Sequence, residues 1–224
     1  MIEVELPGGA RARFTSRAEG DLGHAGVYIT EVTPEVAARR AAVLDLPWTW
    51  LRQVHGDQVV VVQGPGHQAA STADAAVTAD VGCALAVLTA DCAPVALASD
   101  EGVLGAAHAG WSGLTAGVLE RTVEAMRDLG AKRITAVLGP CIGPECYEFG
   151  ANDLERVAAT VGPEVRARTA TGRPSLDLPA GVRAVLERQG VAVDDRATCT
   201  ACTTAYFSWR ARGEWERQAL VVWR

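Results

Sequence analysis

Apolar positions come in short blocks along this chain, and their spacing changes from block to block. The opening MIEVELPGGARARFTSR alternates apolar and polar residues, which predicts a β-hairpin turning at PGG. TPEVAARRAAVLDLP switches to helical spacing, with Thr33 placed to cap, Pro34 at the first helical position and Pro47 closing the segment. WTWLRQVHGDQVVVVQG is an extended run rich in Val and Trp, broken at Gly56-Asp57. DAAVTAD, CALAVLTADCAPVALAS and GVLGAAHAGW then read as short buried strands separated by turn residues. SGLTAGVLERTVEAMRDLG returns to helical spacing, with Ser112 as cap and Gly130 as terminator, and RITAVLGPCIG is a strand entering a Gly/Pro loop. ANDLERVAATVG and DLPAGVRAVLERQG are further helices, the second introduced by Asp177 and Pro179. RARTATGRPSLD is the segment best suited to a mobile surface loop, and SWRARGEWERQALVVWR reads as a hairpin turning at Gly213. Strands mixed with helices predict an α/β (α+β) fold of mixed sheets flanked by helices, arranged as one domain over residues 1–224.

Composition narrows the function classes. With 49% hydrophobic and 21% charged residues the chain has ample material for a core. Its formal net charge of −6 argues against broad attraction to nucleic acid or an anionic membrane, while leaving room for a local cationic pocket that takes a small anion. The N-terminus lacks a signal-like apolar region and no window approaches about eighteen uninterrupted apolar residues, so a soluble, cytoplasmic protein is expected. Six cysteines without a secretory signal predict reduced thiols or a metal site rather than a disulfide framework.

The candidate chemistry concentrates at strand ends. Among four histidines, His24 and His67 sit in Gly-rich turns, whereas His55 and His108 close apolar strands and are followed by GD and AGW. Cys92 closes CALAVLTADC just before Pro94. Strand ends hold side chains rigidly while opening onto a cleft. Three readings of this set stay open. The residues are satisfied core groups, or two imidazoles and a thiolate form a set suited to Zn²⁺, or Cys92 is a nucleophile with His108 as its base. Asp91 next to Cys92 is read as a residue that supports the site or bonds loop amides, and Asp74 as either a site or a turn residue. Cys199 and Cys202 form a CxxC that Cys141 and Cys146 would complete as a four-cysteine structural site. Arg52, Arg210, Arg212 and Arg217 fall beside strand ends, as donors for a phosphate or ribose would.

Taken together, LRQVHGDQV, DAAVTAD, LTADCAPV, AAHAGWSG, GPCIGPECYEF and CTACTTAYFSWRARGEWERQA resemble, in that order, the motifs of the YfiH family, also called the laccase-domain or polyphenol oxidase family. The resemblance covers roughly residues 12 to 222. It implies a compact fold with layered sheets and a metal centre at His55, Cys92 and His108, which are then also the catalytic residues. It implies zinc as cofactor, with Cu²⁺ as the alternative. It further implies phosphorolysis of adenosine, inosine, guanosine and methylthioadenosine, with adenosine deamination, so that a purine nucleoside and phosphate are the partners. Arg52, Asp74, Asp91, Arg210 and Arg217 are the candidates for substrate contact. Cys-His amide hydrolysis in peptidoglycan-precursor editing, copper-dependent phenol oxidation and a non-catalytic metal-binding role are the competing readings. Four histidines in all speak against a multicopper cluster. The sequence departs from the family pattern at Ser112, where HAGWRG is usual. Further departures are Arg210-Ala211 for a paired arginine, Trp215-Glu216 for Thr-Gly, and a shortened segment after FTSR.

Overall fold

A computed structural model of the chain describes residues 1–23 and 32–224; His24 lies outside the described residues. In chain order the elements are β1 (Ile2–Glu5), β2 (Arg11–Phe14), α1 (Pro34–Val43), β3 (Trp48–Arg52), β4 (Val59–Val61), β5 (Ser71–Thr72) and β6 (Ala75–Thr78). There follow β7 (Ala84–Thr89), β8 (Ala93–Ser99), β9 (Leu104–Ala109), α2 (Trp111–Ala116), α3 (Val118–Asp128) and β10 (Ile134–Leu138). The chain continues through α4 (Ala151–Val161), β11 (Arg166–Arg168), β12 (Pro174–Leu176), α5 (Leu178–Arg188), β13 (Ala192–Asp195), α6 (Trp209–Arg212) and β14 (Gln218–Trp223). None of the described helices is long and apolar enough to cross a membrane.

Two six-stranded mixed sheets carry the architecture. The first runs β1-β2-β14-β7-β3-β5 and the second β13-β10-β8-β9-β6-β4, as the predicted mixed α/β class requires. Their inner faces meet: Phe14, Leu85, Val87, Leu220 and Val222 of the first sheet pack on Ala76, Ala96, Ala98, Leu104 and Ala106 of the second. The outer face of the second sheet (Val95, Leu97, Ala107, Leu138) buries Leu119, Val123, Leu154, Val182 and Leu186 of the helices. The outer face of the first is covered by Leu22 and Val43, the last residue of α1. Because both faces of β8 and β9 are buried, these strands read as continuous apolar runs rather than alternating ones.

Several local expectations hold. β1 and β2 pair antiparallel across Pro7–Gly9, and the Thr33 hydroxyl caps α1 by accepting from Val36 N–H. Others are corrected. The CALAVLTADCAPVALAS run is two strands, β7 and β8, in different sheets, and Asp91 at the crossover has φ 95° rather than strand geometry. The helix after His108 starts at Trp111 with Gly110 at its cap, so Ser112 lies inside it, and Gly117 in the left-handed region breaks the helix into α2 and α3. RARTATGRPSLD is an antiparallel hairpin of β11 and β12 rather than an open loop. At the C-terminal end, Gly213 terminates the single turn of α6 instead of turning a hairpin. β14 instead inserts between β2 and β7, where pairing is non-local and invisible to local alternation.

Candidate metal centre

Strand register assembles the centre. β8 pairs β9 with Ala93 opposite Ala109, so Cys92 falls beside Gly110 at the open end of the ladder. β6 pairs β9 with Ala75 opposite Ala107, which sets Asp74 beside His108, and His108 N–H donates to the Asp74 carbonyl at 2.8 Å. His108 shares the parity of Leu104 and Ala106, whose side chains fill the space between the sheets, so its ring sits at the rim of that layer. His55 arrives from the other sheet, on the loop after β3, and has φ 59°.

The donor atoms of His55, Cys92 and His108 all lie within 4.8 Å of one another. Cys92 Sγ is 3.7 Å from His55 Nε2. The two imidazole rings meet edge to face, with centroids 4.8 Å apart at 76°. Burial is graded: His108 is buried, Cys92 partly exposed and His55 exposed, so one side of the triad faces solvent. A Cβ on Gly110 would come within 2.9 Å of His55 Cδ2 and 3.0 Å of Cys92 Sγ, so the close approach requires glycine there.

Asp74 holds the set together. Its carboxylate is fully buried and accepts four hydrogen bonds. Oδ1 takes His55 N–H at 2.9 Å and bonds His108 Nδ1 at 2.8 Å, while Oδ2 takes Gly56 N–H at 2.8 Å and Val54 N–H at 3.2 Å. Both histidine-bearing segments therefore hang on one side chain. Burial pushes the Asp74 carboxyl up, but the hydrogen bond and charge of His108 with the loop amides outweigh it and hold the group below its ordinary range. With Nδ1 directed at Asp74, His108 presents Nε2 towards Cys92, the arrangement expected of a metal-ligating imidazole. Burial raises the Cys92 thiol, yet the positive charge of His108 and hydrogen bonds from both imidazoles bring it down to about 6. Conversely, burial lowers His108, and the Cys92 charge with the Asp74 hydrogen bond lifts it to about 9.

The other predicted site residues separate. Asp91, adjacent to Cys92, spends both oxygens on structure. Oδ1 accepts from Thr200 Oγ1 at 2.6 Å and Oδ2 from Arg210 N–H at 2.7 Å, an amide of α6 rather than of a loop. Those bonds hold a left-handed backbone that a side chain rarely adopts. The Arg52 guanidinium is engaged by Thr72 Oγ1. Arg217 Nη1 donates to the carbonyls of Glu214 and Glu216, but the guanidinium stays within reach of the triad: burial lowers its pKa and the charge of Cys92 opposes that. Arg210 instead lies over the Tyr147 ring, 5.0 Å from its centroid, and borders a cavity of about 540 Å³ lined also by Cys146, Glu148, Phe149, Gly150 and Ala211. Sequence reading passed over Tyr147, which is buried and whose hydroxyl is pushed up to about 12, chiefly by that burial. It also passed over Phe149, which packs edge-on against Trp111. The signal for both was the aromatic spacing in CYEF after a Gly/Pro loop. The proposed four-cysteine cluster is not formed as drawn: Cys141 points into the core, where burial raises its thiol well above the ordinary range. Glu145 takes the fourth place beside Cys146, Cys199 and Cys202.

Residues 24–224 match the family model described as multi-copper polyphenol oxidoreductase laccase. This chain belongs to that laccase-domain family. A purine nucleoside phosphorylase of Streptomyces coelicolor is 45% identical over 196 residues, covering 84% of this chain and 80% of that protein. A purine nucleoside phosphorylase of Mycobacterium tuberculosis is 38% identical over 223 residues, covering 95% and 89%. The fold is that of solved laccase-domain neighbours. A Neisseria meningitidis protein superposes with TM-score 0.83 at 29% identity, covering 99% of this chain and 98% of that one. YlmD from Geobacillus stearothermophilus gives 0.78 at 28%, covering 96% and 92%.

Proposed function

We propose that this laccase-domain protein is a metal-dependent purine nucleoside phosphorylase whose centre is His55, Cys92 and His108, with zinc as the resident ion. The observation that carries the reading is the Asp74-locked triad, in which two nitrogens and one sulfur converge within 4.8 Å with one side open to solvent. Three protein donors and an open position make the pattern of a catalytic rather than a closed structural site, and the mixed N/S set suits Zn²⁺. The phosphorylase names of its relatives supply the reaction class. When bound, the metal supplies a Lewis-acid point beside the substrate.

The chain's own residues do the rest. Asp74 fixes the His108 tautomer and draws the His55 loop onto the same point. Arg210, which borders the cavity over Tyr147, and Arg217, whose charge is felt by Cys92, are the arginines placed to meet phosphate, whereas Arg52 is engaged by Thr72. In phosphorolysis a phosphate oxygen forms the new bond to the anomeric carbon as the bond to the purine nitrogen breaks, and the purine departs with that electron pair. Ser112 stands one helical position beyond Trp111 and offers a hydroxyl where an arginine is usual in the family, so phosphate affinity rests more heavily on Arg210 and Arg217. Adenosine, inosine, guanosine and methylthioadenosine are the substrate set, with adenosine deamination as a side activity at the same centre.

A second reading has its own support. Cys92, His108 and Asp74 also form a thiol–imidazole–carboxylate relay, with the thiol shifted to about 6, as in a Cys-His amide hydrolase. Copper phenol oxidation fits less well: among the described residues, His55 and His108 are the histidines at the centre. Chromatography of adenosine with purified protein, with and without phosphate and beside Cys92→Ser, is the test. Phosphate-dependent adenine that vanishes in the variant and after chelation is expected. Adenosine turnover that survives complete metal removal, or no turnover by metal-replete protein, refutes the reading.

A further inference from the structure

A second convergence of ligand-type side chains lies outside the triad. One oxygen of Glu145 and the sulfurs of Cys146, Cys199 and Cys202 come within 4.8 Å of one another. They arrive from two stretches that the backbone already ties together: Cys141 N–H donates to the Thr198 carbonyl at 3.2 Å, and Thr200 N–H to the Cys141 carbonyl at 3.1 Å. Cys146 Sγ stands 3.1 Å from Cys202 Sγ, and Cys202 Sγ 3.3 Å from Glu145 Oε1. Gly143 N–H donates to Cys199 Sγ at 3.2 Å, the kind of backbone bond that steadies a sulfur carrying negative charge.

The four groups are each other's partners, and each becomes anionic when it loses a proton. Among the described residues no lysine or arginine side chain hydrogen-bonds to any of the four. With their protons on, the thiols donate to one another and to Glu145; their joint ionisation is unfavourable unless a cation replaces the thiol protons. Four convergent protein donors, three of them soft sulfur, are the number and kind that fill the coordination of a structural zinc, and that donor set selects zinc over calcium or magnesium.

We propose that Glu145, Cys146, Cys199 and Cys202 form a second metal site, a structural Zn²⁺ staple separate from the His55–Cys92–His108 centre. Binding exchanges thiol protons, released to solvent, for the cation, and nothing is oxidised or reduced. The staple joins the loop that carries Tyr147 and Phe149 to the CxxC segment. That segment in turn is fastened to the triad, because Thr200 Oγ1 donates to Asp91 beside Cys92. Arg212 holds the carbonyls of Thr200 and Ala201 from the far side. Cys146 also lines the cavity that Arg210 borders, so the staple fixes one wall of it.

The test uses the full chain, purified under reductant, loaded with Zn²⁺ and desalted. A His55→Ala/Cys92→Ser/His108→Ala variant, which lacks the first centre whatever that centre does, retains about one equivalent of zinc. Loaded with Co²⁺, the same variant shows sulfur-to-metal charge transfer in the near ultraviolet, which a further Cys199→Ser/Cys202→Ser change abolishes. The wild-type protein gives a check that does not depend on any variant folding. Peptide mapping after alkylation of the native chain finds Cys146, Cys199 and Cys202 protected at least about tenfold by Zn²⁺. Equal alkylation with and without Zn²⁺, together with a triple variant that retains no metal, overturns the proposal. So does a Cys146–Cys202 disulfide that persists in reductant-free protein supplied with Zn²⁺, since the pair would then be a redox dithiol.

Discussion

Asp74 shows how much one buried side chain can organise. Its four hydrogen bonds reach three consecutive backbone amides and an imidazole. Removing the carboxylate leaves a buried imidazole and three part-buried loop amides without their acceptor. Asp74→Ala is therefore expected to destabilise the fold by roughly 3–5 kcal/mol, read as a lower midpoint in urea unfolding. Asp74→Asn, which keeps the shape, is expected to weaken zinc binding by about 10–100-fold in chelator competition. The shifted thiol gives a second prediction. Burial opposes ionisation of Cys92, but the charge of His108 and the hydrogen bonds of both imidazoles prevail, so in metal-free protein the thiolate forms as pH rises through about 6 rather than 9.0. Alkylation of Cys92 should follow that midpoint and fall off below it, and His108→Gln should move the midpoint upward. A profile centred near that of an ordinary thiol would sink this account. The convergence of His55, Cys92 and His108 was legible because polar residues ending apolar strands stand out. Asp74 was underrated because DAAVTAD is compatible with a plain turn, and only the β6–β9 register shows that it faces His108.

At the level of elements, the ladder of β8 and β9 ends where the thiol and Gly110 meet, and α2 starts from that glycine. The geometry at this junction is tight enough to test. Gly110→Ala places a methyl group within 2.9 Å of the His55 ring and 3.0 Å of the thiol. The backbone there, φ −76° and ψ 166°, suits any residue, so the helix itself should tolerate the change. The expected result is a loss of about tenfold or more in zinc affinity, with the unfolding midpoint of the metal-free protein nearly unchanged. Equal affinity would mean that His55, the exposed ligand, swings aside freely. Helices were readable from spacing and caps, as Thr33 and Asp177 illustrate. Boundaries set by tertiary contact were not. Gly117, with φ 97°, splits a pattern that looks continuous, and the last strand pairs with segments far back in the chain rather than with its neighbour.

Across the whole molecule, the proposed ligands are divided between sheets. His55 follows a strand of the first, His108 belongs to the second, and Cys92 lies on the crossover that links them. The fold class was legible from alternating blocks, but this division was not, because the run containing Cys92 carries no break strong enough to announce a change of sheet. The facing layer of the second sheet is built largely of small residues, Ala76, Ala96, Ala98 and Ala106. Ala96→Leu, in the packed layer on β8 just beyond Cys92, is expected to cost about 1–3 kcal/mol through overpacking and, on the proposed zinc reading, to weaken zinc binding as well; urea unfolding and chelator titration read the two effects. Alanine, which looked like bland filler in the composition, thus serves as a spacer. Its methyl groups set the gauge between two plates, and the triad, if it grips an ion as proposed, would work as a caliper across the gap, reporting any thickening of the filling as a loss of grip.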